Sequence, residues 1–116
     1  MSVYTKYIAE PWFTLIKVGI KKCEGKFDDD DFKIMKKGDF IMYWNDSYGL
    51  HRLYSVEITD IHYYDTLQTF IATETLNNCF PGLDRIEDAI NIYYKISNKE
   101  AKKYKIIALC IKGINN

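Results

Sequence analysis

The order of segments in this chain predicts an α+β domain. One N-terminal helix, three strands, several short helices and a closing strand surround a small sheet or barrel. Three observations carry that expectation. Runs rich in β-branched and aromatic residues at 39–44, 53–64 and 105–112 read as strands. Helix-start signals crowd the interval between the last two of these runs. A length of 116 residues supports one core that buries roughly two-thirds of the unfolded surface, so residues 1–116 read as a single domain.

The stretch "EPWFTLIKVG" (10–19) is a short helix: Pro11 suits the first helical position, Trp12, Leu15 and Ile16 fall on one face, and Gly19 is a natural stop. "KKCEGKF" (21–27) is the first strand candidate. Alternation puts Lys22, Glu24 and Lys26 on one of its faces and Lys21, Cys23 and Phe27 on the other. This stripe is either a solvated edge or the floor of a site that grips an anionic guest. Lys21 and Glu24 reach one cleft only if the strand bends or bulges, which Gly25 would permit.

An aspartate loop (28–31), a turn of helix in "FKIMKKG" (32–38) and the strand "DFIMYW" (39–44) follow, then the turn "NDSYG" (45–49). In the long strand 53–64, one alternating face carries Leu53, Ser55, Glu57, Thr59 and Ile61, and the other Tyr54, Val56, Ile58, Asp60 and His62. Neither is purely apolar, which predicts a partly exposed or bulged strand. Asp65 is placed to cap a helix over 66–76, and "DRIE" (84–87) and "SNKE" (97–100) are capping boxes with Glu87 and Glu100 reaching back. Pro81 and Gly82 punctuate a turn between them. "KIIALCIK" (105–112) closes the chain as a central strand.

Composition narrows the function classes. The net charge is zero, but residues 1–27 carry +3, 28–31 carry −4, 57–88 carry −6 and 89–116 carry +5. A fold that joins the two ends would build a basic face, compatible with an anionic partner; a mixed soluble surface is the plainer alternative. The longest apolar run, "IIALCI" (106–111), is far short of a membrane span, so no membrane partner is expected. Three cysteines without a CxxC pair, and a first segment "MSVYTKYIAE" lacking an apolar h-region, point to free thiols and a cytoplasmic location.

No metal and no cofactor are expected. His51 and His62 stand eleven apart with no cysteine at ligand-like spacing, and an EF-hand register from Asp28 puts Phe32 at a ligand position and Lys33 at the required glycine. There is no phosphate-loop motif. Cys110 reads as core, and Cys23, although beside Lys22, reads as packing before nucleophile. Trp12 and Trp44 each stand where regular structure meets a loop; each can be core, or can stack a base with about 1–3 kcal/mol of benefit.

Gly19, Lys21, Glu24 and Lys26, followed by "KKGD" (36–39) and "DFIMYWND" (39–46), resemble the G-x-K-x-x-E-x-R signature and next strand of the ASCH domain family. "LNNCFPGLDRIEDAINIYYKISNKEAKKYKIIALCI" (76–111) resembles the C-terminal pattern of one branch, an L-x-x-C-x-P-G turn before an I-Y helix, a capped helix and an apolar strand. The resemblance implies a PUA-like pseudo-barrel of five or six strands with the N-terminal helix across one mouth. One strand must then lie in 3–8 or 48–56. It also implies an RNA or nucleotide partner, single-stranded or modified, in RNA metabolism or regulation. The cleft would use Trp12, Lys17, Lys21, Lys22, Glu24, Lys26 and Trp44: lysines for charge, Glu24 to accept from a base amino group, tryptophans to stack. Lys26 stands where the family usually has arginine, which replaces a bidentate fork by a point charge.

One small bacterial branch with a similar layout hydrolyses the amide of N4-acetylcytidine. It uses a lysine matching Lys21, a threonine nucleophile at position 24 and a glutamate matching Glu74. Here Glu24 removes the hydroxyl and with it the acyl-enzyme route. Lys21, Glu24 and Glu74 would then be the set for acid–base activation of water or of an RNA 2′-OH, which makes a nucleoside hydrolase or ribonuclease the alternative reading.

Overall fold

The computed structural model describes residues 1–27, 31–97 and 105–114, which form five strands and four α-helices. In chain order these are β1 (Val3–Tyr7), α1 (Trp12–Lys17), β2 (Cys23–Phe27), β3 (Phe40–Asn45), β4 (Arg52–Tyr64), α2 (Leu67–Glu74), α3 (Leu76–Cys79), α4 (Ile86–Ser97) and β5 (Ile106–Gly113). The strands make one curled half-barrel sheet in the order β1-β3-β4-β5-β2. β1 runs parallel to β3 and the other pairs are antiparallel. β5 is internal, as expected for its continuous apolar run, while β1 and β2 are the two edges. β1 is the strand that the family pattern required.

α1 begins one residue after Pro11 and runs to Lys17; the positive φ of 84° at Gly19 then turns the chain so that Ile20 N–H donates to Leu15 O. α2 departs from expectation at both ends. Its cap is Thr66, whose hydroxyl accepts from Thr69 N–H at 3.1 Å, because Asp65 stands one residue too early to reach that donor. Thr75, at φ 77°, then breaks the helix, and Leu76–Cys79 forms a separate turn of helix. The capping box at 97–100 extends outside the described residues.

The long strand β4 is bulged. Ile58 faces Ile111 but Asp60 faces Cys110, so Thr59 is the extra residue. Before the bulge the even-numbered residues Val56 and Ile58 enter the core; after it the even-numbered residues Asp60, His62 and Tyr64 share the face of Cys110, Ala108 and Ile106. The switch explains why neither alternating face looked apolar.

Gly25 does not bulge. β2 keeps an unbroken register from Cys23 opposite Cys110 to Phe27 opposite Ile106. The glycine is there for close approach: a Cβ would collide with the rings of Phe70 from α2 and Tyr93 from α4. The helices therefore cover the Cys23–Gly25–Phe27 face of β2, and Glu24 points the other way, across from Leu109.

Candidate nucleic-acid-binding cleft

The unclosed seam between the edge strands holds a cavity of about 110 Å³. Tyr7, Ile8 and Ala9 from the end of β1, Trp12 from α1, Glu24–Lys26 from β2, and Phe80 and Tyr93 line it. The β1 side is pinned before the chain reaches Trp12. Ile8 N–H donates to Trp44 O at 3.1 Å, and the buried Asn45 amide donates to Ile8 O at 2.9 Å. Trp12 packs edge-on against Phe80 at 4.9 Å, and Phe80 edge-on against Tyr93 at 5.3 Å, so the aromatic wall is continuous. The Tyr93 hydroxyl donates to Gly25 O at 2.9 Å and ties α4 to β2.

Lys21 precedes β2, its N–H bonded to Leu15 O, so it stands outside the strand's alternation and meets Glu24 without a bulge. Its ammonium stands 3.4 Å from Glu24 Oε1 and donates to Cys23 O at 2.7 Å and to Cys79 O. The rings of Phe80 and Trp12 lie 5.0 and 5.7 Å from the charge. At 2% exposure, and with three partners for its three N–H groups, Lys21 is a buried positioning cation for Glu24. Glu24, 6% exposed, also stands 4.0 Å from Lys26 Nζ, whose side chain is one-quarter exposed at the mouth.

Close to Glu24, the Tyr43 hydroxyl is buried without a hydrogen-bond partner among the described residues. Burial first, and the negative charge of Glu24 second, push its pKa well up, so it stays a neutral donor. Cys23 is inert: a hydrogen bond with Cys79, then burial, raises its pKa far beyond any thiolate range.

The other expected residues lie elsewhere. Trp44 does not line the cavity; its ring packs edge-on against Tyr7 at 4.9 Å and lies 5.3 Å from His51, so it touches the site through Tyr7. Lys17 is exposed at the end of α1, and Lys22 flanks a different depression of about 160 Å³ with Lys112, one that Lys21 also borders from behind the seam cavity. Glu74 turns to His62 Nδ1 at 2.6 Å and to the Tyr64 hydroxyl, on the side of the sheet opposite Glu24. Lys21 and Glu24 are thus brought together; Glu74 is not with them. Sequence reading missed Tyr7, Phe80 and Tyr93, whose place in the wall depends on long-range packing.

The family model described as "ASCH domain" matches residues 7–114. Among solved structures, hypothetical protein PH0355 is 29% identical with a TM-score of 0.82, the match covering 98% of this chain and all of that one. Protein PF0455 from Pyrococcus furiosus is 28% identical with a TM-score of 0.76, covering 98% and 99%. The ASCH domain from Lactobacillus crispatus, at 13% identity and a TM-score of 0.60 over 95% of this chain and 79% of that one, shares the fold. A search of curated proteins gives no significant match. The pseudo-barrel and the match across nearly its whole length make this chain a member of the ASCH domain family.

Proposed function

We propose that the seam cleft binds a nucleotide unit of single-stranded RNA, reading its base edge with Glu24. One observation carries this: a carboxylate held in place by a buried lysine faces a cavity walled by aromatic rings. Such a wall suits a flat ring, and a carboxylate accepts from the exocyclic amino group of cytosine, adenine or guanine. Lys26, at the mouth, meets phosphate, and half-exposed Tyr7 supplies a rim ring for a neighbouring base. Membership of a family generally regarded as RNA-binding agrees with this. Binding is favoured over hydrolysis because Glu74 turns away from Lys21 and Glu24.

The test is fluorescence anisotropy of labelled single-stranded RNAs that differ in base composition. Glu24→Gln should change base preference more than overall affinity. Lys26→Ala should lower the salt slope by about 0.7 for its one phosphate. Tyr7→Ala should cost about 1–3 kcal/mol. Binding that is unchanged in all three variants, or absent from the parent, would reject the reading.

A further inference from the structure

The bulge in β4 has a second effect, away from the cleft. By turning His62 to the face of Cys110, it gathers three unlike donors from three elements: the imidazole of His62 (β4), the carboxylate of Glu74 (α2) and the thiol of Cys110 (β5). Their ligand atoms all lie within 4.8 Å of one another. We infer that this cluster binds a divalent transition metal of the zinc or cobalt type, with one coordination position left to water.

The distances fit with small adjustment. Tetrahedral zinc needs about 3.3 Å between imidazole nitrogen and carboxylate oxygen and about 3.6 Å between nitrogen and sulfur, from bond lengths near 2.0 and 2.3 Å. Here His62 Nδ1 is 2.6 Å from Glu74 Oε2 and 4.0 Å from Cys110 Sγ. One pair opens and the other closes by well under 1 Å, within the reach of side-chain rotation.

The surroundings are those a metal site requires. His62 presents Nδ1 to the other two donors while Nε2 faces Asp60 Oδ2 at 3.2 Å, so a carboxylate sits behind the imidazole and sets its tautomer for ligation. The Tyr64 hydroxyl donates to Glu74 and holds that oxygen in place. Thiolate and imidazole together exclude magnesium and calcium, which take oxygen ligands, and favour zinc or cobalt. The His62 side chain is 42% exposed, which leaves an entry path from solvent. Sequence spacing does not announce the site, since its ligands are twelve and thirty-six residues apart.

The full chain, stripped with chelator, is titrated with Co²⁺ and followed by absorption, then with Zn²⁺ in competition. One cobalt per chain should bind with a thiolate-to-cobalt charge-transfer band, and zinc should abolish the band. Cys110→Ala should remove the band, and His62→Gln should weaken zinc binding at least 100-fold. Asp60→Ala, at an exposed position, should weaken it 10–100-fold. Circular dichroism of each variant checks that the fold is intact. No charge-transfer band in the parent, or a band that survives Cys110→Ala, would overturn the assignment, and in either case His62, Glu74 and Cys110 form only a hydrogen-bonded cluster. The RNA measurements on Glu24, Lys26 and Tyr7 are independent of this result, because the cavity those residues line includes none of the three donors.

Discussion

Replacing Lys21 by methionine tests whether the lysine is a buried positioning cation or a surface charge. The substitution keeps most of the apolar stem against Trp12 and Phe80 but leaves Glu24 without its 3.4 Å partner and Cys23 O and Cys79 O without a donor. Breaking a buried ion pair by removing one member costs about 3–5 kcal/mol, because the surviving charge stays uncompensated. For a domain of this length that corresponds to a fall in Tm of roughly 10–20 °C. Lys21→Met with Glu24→Leu removes both charges, and should cost about 1–3 kcal/mol less than the sum of the two single losses. Thermal unfolding of the four proteins of the cycle by circular dichroism measures both quantities. A surface lysine would lose less than about 0.5 kcal/mol on substitution. A loss that small, or strict additivity in the double variant, would refute the buried pair.

Three further outcomes follow from particular contacts. Gly25→Ala forces a Cβ into Phe70 and Tyr93 and should cost about 1–3 kcal/mol in urea unfolding; a variant as stable as the parent would contradict the close approach. Asp39 accepts from Ser2 N–H at 3.0 Å and Lys36 N–H at 2.9 Å, bonds that hold its carboxyl below the usual range. Its contribution is present above the unfolded carboxylate pKa, near pH 4, and is lost as pH falls through the lower folded value. Asp39→Asn should therefore flatten the acid limb of the stability–pH profile, and an unaltered limb would count against it. Cys23 and Cys79 are buried and Cys110 is half-buried, so a thiol reagent should modify Cys110 first in the native protein and all three after unfolding. A single reactive thiol after unfolding without reductant would mean a disulfide.

The parts of the fold legible in the sequence were those written in local patterns. Trp12, Leu15 and Ile16 before Gly19 gave the first helix, and the apolar run at 106–111 gave an internal strand. β1 was harder to see because Val3, Thr5 and Tyr7 lie exposed on an edge, and the strand carries no apolar signal of its own. At Asp65 a cap was displaced by one residue, since Asp65 and Thr66 are both good caps and only backbone geometry chooses between them. Gly25 was expected to permit a bend or bulge, whereas β2 keeps its register, Lys21 lies before the strand, and the glycine answers to Phe70 and Tyr93 from distant helices. The pairing of Lys21 with Glu24 came from the family pattern, since strand alternation set the two on opposite faces and Lys21 in fact lies before the strand. The placing of Glu74 was not, because a one-residue bulge at Thr59 decides which residues of β4 meet α2.

The central claim, that a nucleotide occupies the seam between β1 and β2, is tested most directly by an NMR titration of ¹⁵N-labelled protein with short single-stranded RNAs. The predicted result is saturable movement of the Gly25 and Lys26 amides and the Trp12 indole, reduced in Glu24→Gln for the preferred base. Shifts confined to the depression flanked by Lys22 and Lys112, or no saturable shifts at all, would contradict it.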